Sequence, residues 1–536
     1  MKVNIAQKIN YNEDIIGQIL RERGLTMDWL EANEDDFYSG TEFKNFAKAR
    51  KLLLSNMEDG YKIGIIMDND MDGVASATIM HQWLLDRNSK LEIVPIITEG
   101  KIHGLLPHLI PDDLNLLIIP DASSNEKNKH KEIADKGIPI LILDHHEMEE
   151  ESEYAVIINP HNPLCTYPNK SLSGGGVVYK FIEAMDTLEN LDYYTKYTDL
   201  AAISIVADVM SLKELENKAI VNLGLKEIKN KYLQAYLKAD QRVKDKEINA
   251  NLVAFYLAPQ INSLIRMGTI EEKQELYQAI VGDTPPEPVV ANLIKLKGKQ
   301  DRKKESVLPR IVMNLQQEGL DNYNVIMTTA PKNLPSPMTG LVCGQLAGLY
   351  NKPVFLGREH DGYLTGSARS VNNSNIENLK DFCEESGLFE WNMGHQAAHG
   401  FKIKIENVSK FIEYCEENLP PFEKQYYADF KLSGDKKEVV ETVYGLNSHA
   451  GCDFPEILIY DEIYISPTDF NIIGKNQNTM VIKTDDLEYI QFRFKKDIPQ
   501  ESGILRIIGK PNLNEFMGNI TPQIIIEDWE WVPLIL

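Results

Sequence analysis

Apolar positions follow two different periods along this chain. Between residues 61 and 211, short unbroken apolar runs (KIGIIM, LEIVPII, LNLLIIP, IPILIL, AVIIN) are separated by stretches with helical spacing, such as GVASATIMHQWLLD and LSGGGVVYKFIEAM. Fully apolar strands between helices predict an α/β fold with a doubly wound parallel sheet, in which ligands bind at the carboxyl ends of strands. Residues 1–60 read as a helical lead-in, because DIIGQILRERGL keeps helical spacing and stops at Gly24. Residues 212–310 read as a helical segment and linker rich in Lys and Glu. Residues 311–420 return to strand and helix alternation in a smaller α/β domain (YNVIMTT, GLVCGQLAGLY, KPVFLG, GYLTGSARS), and PPF at 420–422 marks a boundary. From 421 to 536 the runs EILIYDEIYI, TMVIKT, YIQFRFK, GILRIIG and PQIIIED predict short strands of a small β-barrel or sandwich.

Composition adds bounds. The 536 residues are 43% hydrophobic and 25% charged. That is an ordinary globular balance, which excludes disorder, collagen and coiled coil as the main state. The length suits about three or four domains of roughly 150 residues. No apolar run nears the roughly 18–20 residues needed to span a bilayer, and no membrane role is expected. The opening MKVNIAQKINYNED has no apolar stretch of the kind an export signal needs. The five cysteines (Cys165, Cys343, Cys383, Cys415, Cys452) show no CxxC or zinc-type spacing. The expectation is a reduced, cytoplasmic protein with incidental thiols. Lys and Arg number 56 against 80 Asp and Glu, a net charge of −24. This argues against non-specific coating of duplex nucleic acid, though a local basic channel remains compatible. It also suits an enzyme that gathers carboxylates around divalent metals.

The candidate chemistry sits where the apolar runs end. KIGIIMDNDMDG places Asp68, Asp70 and Asp72 after one run, with Gly73 opening the next helix. Alternate residues of an extended segment share a face, so Asp68 and Asp70 can address one site. LLIIPDASSN places Asp121 after a second run, ILILDHHE places Asp144, His145 and His146 after a third, and LAAISIVADVM places Asp208 late in a fourth. Each has a plainer reading: a calcium-loop fragment, an acidic turn with a helix-capping Asp, a structural His pair. Four such strand ends together read as a cation site, because an acidic patch without a cation repels itself. Carboxylates with imidazole suit Mn2+ or Mg2+, and two such ions roughly 3.5–4 Å apart would activate water and clamp a phosphoryl group.

These motifs resemble the DHH phosphoesterase superfamily, most closely its RecJ-type single-strand-specific exonucleases. DNDMDG resembles the DxDxDG motif, and LDHHE carries the Asp-His-His. NPHNPLCTYPNKSLSGGGVVYKF, LAAISIVADVMSLKELENKAIVNLGL and LAPQINSLIRMG follow in the family's order. GLVCGQLAGLYNKPVFL, GSARS and MGHQAAHG resemble the DHH-associated domain, and NEFMGNITPQIIIEDW the close of an OB-fold domain. The resemblance implies that Asp68, Asp70, Asp121, His145 and Asp208 ligate two divalent ions, with Asp121 bridging. It implies that Asp72 and Asp144 orient ligands and that His146 lies on the phosphate or leaving-group side. Arg266, Ser367, Arg369, Ser370, Gly394 and His395 would bind substrate, with His395 facing the metals across a cleft. The amides of Gly174, Gly175 and Gly176 would cradle a phosphate, or the run would be a flexible loop. Departures are Met393-Gly394-His395 for GGH, Ile265 for the Gly before the signature arginine, and Ala398-His399-Gly400 for AAG.

The implied activity is 5′→3′ removal of mononucleotides from single-stranded DNA by metal-activated water, polarity coming from the resemblance alone. Single-stranded DNA is the implied partner, with a single-strand-binding protein or a helicase as further candidates. A phosphodiesterase of short oligonucleotides or cyclic dinucleotides and a non-catalytic binding scaffold are the alternatives. In the C-terminal β domain, Ile490, Phe492 and Phe494 would face the core, while Tyr489, Gln491, Arg493 and Lys495 would present a ring and cations to a strand, or form an ordinary solvated face. The lysines Lys295, Lys297, Lys299, Arg302, Lys303 and Lys304 would line a strand channel or form a solvated helical face.

Overall fold

Five of the apolar runs build one sheet. In the computed structural model, which describes residues 2–99, 104–371, 376, 378–420, 425–474, 477–494, 496–516 and 519–533, the strands lie in the order Glu92–Ile97, Lys62–Met67, Leu116–Pro120, Ile140–Leu143, Val156–Ile158. Every neighbouring pair is parallel. The order reverses between Lys62–Met67 and Leu116–Pro120, and a doubly wound sheet opens a ligand crevice at such a switch point. Of the three inner strands, Leu116–Pro120 and Ile140–Leu143 are buried at every position, which explains their unbroken apolar character. Ile66, Leu117, Ile119, Ile140 and Ile142 share one core with Leu105, Ile133 and Met148.

One element differs from its expected type. Asp208 follows an α-helix, Thr198–Ala207, and not a strand. That helix is buried from Thr198 through Val206. A helix apolar on all sides has no amphipathic period, and over so short a run it reads like a buried strand.

The chain divides into two compact units, residues 295–426 with the first two residues, and residues 3–294 with 427–536. The helix Glu287–Glu318 runs across the border and contains Pro309. On it, Lys297 and Lys304 share Asp301 at 2.6 and 3.5 Å, a half-buried pairing along one helix face. Within 295–426, a sheet runs in the order Phe389–His395, Ala398–Lys404, Tyr363–Arg369, Val354–His360, Ile326–Thr329, with only the last pair parallel. Its core is aromatic, built on Phe355, Phe401 and Phe411. Phe422, at the expected boundary, lies outside the described residues.

The C-terminal strands form one seven-stranded sheet, in the order Phe430–Lys431, Ile459–Ile465, Gly503–Phe516, Asn519–Pro533, Glu488–Phe492, Thr479–Lys483, Asn471–Ile473. Among the described residues no ladder joins its first strand to its last. Two strands are not short: Gly503–Phe516 and Asn519–Pro533 have 14 and 15 residues. Pro511, paired with Ile524 past a register shift at Ile508/Gly509, looks in sequence like a strand end.

Tyr489 and Phe492 depart from their expected faces, whereas Phe494 packs against the core as expected. Tyr489 is fully buried and donates to Asp461 Oδ2 at 2.6 Å, while Phe492 is 60% exposed. Asp461 also accepts from Lys436 Nζ, so the interior offers the tyrosine hydroxyl a partner and the larger amphipathic ring goes in. Arg493 has φ +55 and ends the strand, and Lys495 lies outside the described residues. The Gly518 of the closing motif lies outside them too.

The lead-in packs on this C-terminal core. Ile19, Leu20 and Trp29 are buried together with Phe430, Phe454 and Ile507. Arg23 grips Asp429 with two nitrogens, Nε at 2.9 Å and Nη2 at 3.0 Å, and sits 4.4 Å from the Phe454 ring centre. Trp29 Nε1 donates to Leu212 O at 2.6 Å. Among the described residues, no helix is long and apolar enough to cross a membrane.

The Arg23–Asp429 pair is mostly buried, at 12% and 13% exposed. Arg23→Ala leaves Asp429 without its partner, and we expect the opening free energy of residues 15–30 and 429–457 to fall by about 3 kcal/mol, read by amide hydrogen exchange. Arg23→Lys keeps the charge without the fork and should give an intermediate loss.

Candidate metal centre

The switch point gathers the acidic loops. Asp68 and Asp70 leave the end of Lys62–Met67, and Asp70 caps the helix Met71–Arg87 through a 3.0 Å bond from Gly73 N. Capping uses one oxygen, so the helix-cap role and a metal role coexist. A Cβ on Gly73 would stand 2.6 Å from Asp68 Cβ, so only glycine lets the helix start against the strand end. Asp121 follows Leu116–Pro120 in the left-handed region, φ +61. Asp144, His145 and His146 follow Ile140–Leu143. Val209 holds φ +60 immediately after Asp208, a strained position for a β-branched residue.

One imidazole nitrogen stands among three carboxylates. His145 Nε2 is 3.2 Å from Asp121 Oδ1, 3.4 Å from Asp208 Oδ2 and 3.8 Å from Asp72 Oδ2. Three ligand sets each bring their donor atoms within 4.8 Å of one another: Asp68–Asp70–Asp121, Asp72–His145–Asp208 and Asp121–His145–His146. Asp121 and His145 each belong to two of them. All five expected ligands are therefore brought together.

The electrostatics favour a cation. Burial, then the charges of Asp72, Asp70, Asp68 and Asp208, hold the Asp121 carboxyl well above the usual carboxylate range. Burial with Asp72 and Asp70 pushes Asp208 up to about 8. Asp121 Oδ1 is buried without a hydrogen-bond partner. An orphaned carboxylate oxygen within a ring of like charge fits a divalent ion and little else. Burial also lowers the His145 pKa, keeping the neutral imidazole that ligates metals.

Asp144 and His146 form a separate pair. His146 Nδ1 donates to Asp144 Oδ1 at 2.8 Å, and this bond, against the pull of burial, raises the His146 pKa to about 9. Although burial opposes it, Asp144 stays well below the usual carboxylate range through His146 and a 3.0 Å bond from Ser124 N. The Asp144 bond thus favours the protonated His146 ring, and among the described residues its Nε2 makes no hydrogen bond.

The glycine run has a different job from the one expected. Gly174 N and Gly175 N donate to the two oxygens of Asp72 at 2.8 and 2.9 Å, and Gly176 N to Ser173 Oγ at 3.1 Å. The first two amides clamp a carboxylate of the centre and the third is taken by the Ser173 cap, so they are not placed to cradle a phosphate. A Cβ on Gly174 would lie 2.4 Å from Asp121 Cβ, and one on Gly175 would lie 2.4 Å from Ser204 Oγ, so the glycines let the helix end press against the acids. Ser204, four residues before Asp208, also donates to Asp72.

Further supports escaped the sequence reading. Asn262 Oδ1 accepts from Met71 N at 3.1 Å. Lys273, fully buried, donates to Asn69 Oδ1 and to Thr98 O, both at 2.9 Å. Asn262 lies inside the INSLIRMG motif and could have been singled out there; nothing local marks Lys273 or Asn69. A cavity of about 110 Å3 is lined by Asn69, Asp70, Asp72, Asp208, Asn262 and Arg266, so Arg266 stands beside the acids.

The remaining expected substrate residues belong to the 295–426 unit. Arg369 Nη1 donates to Ala368 O at 2.7 Å, and a Cβ on Gly340 would lie 2.6 Å from Arg369 Nη2, so the guanidinium rests on the first turn of helix Thr339–Tyr350. Ser367 pairs with Gly400 in the ladder, and Ser370 N donates to Ala397 O. Gly394 has φ +131, which favours glycine there. The side chain of His395 lies outside the described residues. Of the departing residues, Met393 is 69% exposed, whereas His399 and Ile265 are buried.

Comparison with known proteins agrees with this geometry. Residues 62–205 match the family model described as DHH family, N-terminal domain. The chain is 31% identical over 571 residues to a putative SPbeta prophage-derived single-strand DNA-specific exonuclease, YorK, of Bacillus subtilis strain 168, covering 99% of this chain and 98% of that protein. It is 25% identical to the single-stranded-DNA-specific exonuclease RecJ of the same organism, over 93% of this chain and 65% of that one. The fold matches the crystal structure of RecJ in complex with Mn2+ from Thermus thermophilus, with a TM-score of 0.78 at 19% identity over 100% of this chain and 80% of that chain. The chain belongs to the DHH family and, within it, to the RecJ-like proteins.

Proposed function

We propose that this chain is a metal-dependent exonuclease that degrades single-stranded DNA to mononucleotides in the 5′→3′ direction. The observation that carries the reading is the buried carboxylate cluster around Asp121, whose Oδ1 accepts no hydrogen bond among the described residues and faces the His145 imidazole at 3.2 Å. The names of the relatives, single-strand DNA-specific exonucleases at 31% and 25% identity, supply the substrate class. Relatives' structures contain Mn2+ or Mg2+, and the all-oxygen and imidazole donor set here suits the same ions.

Held by Asp68, Asp70, Asp121, His145 and Asp208, such ions supply charge neutralisation at a phosphodiester and a water of lowered pKa. The chain's own residues do the rest. Gly174, Gly175 and Ser204 fix the Asp72 carboxylate, so the acids keep their spacing when strand binds. Arg266 offers a fork to a phosphate beside Asp70 and Asp208. His146, held protonated by Asp144, presents Nε2–H to a phosphate or leaving oxygen. The intact cluster counts against a non-catalytic scaffold.

The deciding assay digests 5′-labelled and 3′-labelled single strands with Mn2+, with and without chelator. Labelled mononucleotide released early from the 5′ label, and abolished by chelator, is the expected result; turnover of dinucleotides alone sinks the proposal. Asp121→Asn tolerates the left-handed backbone, and we expect hydrolysis to fall at least ~1,000-fold. Because the substitution relieves like-charge repulsion, the metal-free variant should melt ~2–4 °C higher, while the Mn2+-induced rise in Tm disappears. Arg266→Ala should raise KM by ~10-fold or more with a smaller effect on kcat, and Arg266→Lys should recover only part of the loss.

A further inference from the structure

Away from the carboxylates, the unit of residues 3–294 and 427–536 encloses a second cavity, of about 340 Å3, where helix Leu215–Lys226, residues 247–250 and the segment Gly445–His449 meet. Its wall holds Lys218, which is only 2% exposed. Lys218 Nζ donates to His449 Nδ1 at 2.7 Å and lies 4.4 Å from the Trp29 ring centre. Among the described residues, no carboxylate lies within ion-pair distance of Lys218. The other deeply buried lysines are answered by oxygens: Lys180 by Glu183 at 3.0 Å and Glu216 at 3.6 Å, and Lys273 by Asn69 and Thr98. In a chain with 24 more acids than bases, a buried ammonium facing a neutral imidazole is an exception that needs a reason.

The cavity supplies one. Because His449 Nδ1 accepts from Lys218, Nε2 carries the ring proton and is a donor. Lys226, exposed at the far end of the same helix, lines the same cavity. Two lysines and a donor imidazole stand against a single acidic lining residue, Glu247. The remaining wall includes Val221, Leu225 and Ile248, an apolar surface next to a cationic end. Burial alone lowers the Lys218 pKa to about 7, so an arriving anion would restore the charge that burial suppresses.

We propose that this cavity binds a small organic phosphate of nucleoside-monophosphate size, with its phosphate on Lys218, Lys226 and His449 and its apolar body against Val221, Leu225 and Ile248. The volume lies within the ~300–1,000 Å3 usual for small-ligand sites. None of these residues belongs to the carboxylate centre, so the proposal stands independently of the nuclease reading.

The test titrates the full-length protein with dAMP by calorimetry in EDTA, which keeps phosphate off the carboxylate centre. Saturable binding with a Kd below ~1 mM is expected, with inorganic phosphate and deoxyadenosine each at least ~10-fold weaker. Lys226→Glu, at an exposed position that folding does not need, should weaken dAMP at least ~5-fold, and Lys218→Met should remove binding; Asp121→Asn should leave it unchanged. No saturation, binding indifferent to Lys226→Glu, or loss with Asp121→Asn would overturn the site. Inorganic phosphate binding as tightly as dAMP would overturn the role of the apolar wall. If Lys218→Met fails to fold, Lys226→Glu still decides.

Discussion

Negative charge gathered in one buried crevice is the constraint around which the centre is organised. Asp68, Asp70, Asp72, Asp121 and Asp208 converge on one crevice with His145 as their only ring nitrogen partner at hydrogen-bond range among the described residues. Folding them together without a cation works against Coulomb repulsion and desolvation at once, which is why Asp121 and Asp208 resist ionisation. The surrounding structure holds the cluster in place by other means. Backbone amides of the Gly174–Leu188 helix meet Asp72 with the positive end of their dipole. Glycines at 73, 174 and 175 remove the atoms that would hold the acids apart. Unusual dihedrals at Asp121 and Val209 persist because these contacts over-determine them.

Much of this was legible in the sequence because the parallel sheet writes itself plainly. A strand covered on both faces must be apolar throughout, and the polar residue after it must lie at the crevice, so Asp68, Asp121 and Asp144 could be placed from their neighbours alone. Asp208 reached the right site through the wrong element, since a helix buried on every side and a buried strand share one pattern. The glycine run was legible as a helix start at the centre, but not its partner. An intramolecular carboxylate and an external phosphate ask for the same amides, and only the distance to Asp72 separates them.

The C-terminal domain was legible in strand positions and only partly in faces, with Phe494 on the core but Tyr489 and Phe492 exchanged. Alternation in YIQFRFK fixes which residues lie together but leaves the sign open. Hydrophobicity favoured Phe492 inside, yet Asp461 and Lys436, remote in sequence, had already built a polar niche there that suits a tyrosine hydroxyl. Lys273 and Lys218 were invisible for a related reason. A lysine reads as solvated until tertiary structure shows what covers it, and their distinct surroundings emerge only from contacts between distant segments.

The burial of Trp29 and Leu20 beside Phe430, Phe454 and Ile507 has a temporal side. A ribosome releases the tryptophan long before it makes the strands that cover it, so this core must wait for nearly the whole chain to be translated. Until then a greasy N-terminal segment stays open to chaperones or to wrong partners. A message truncated before codon 430 would yield a product with the sheet and its acids complete but its beginning permanently uncovered, a natural substrate for proteolytic clearance.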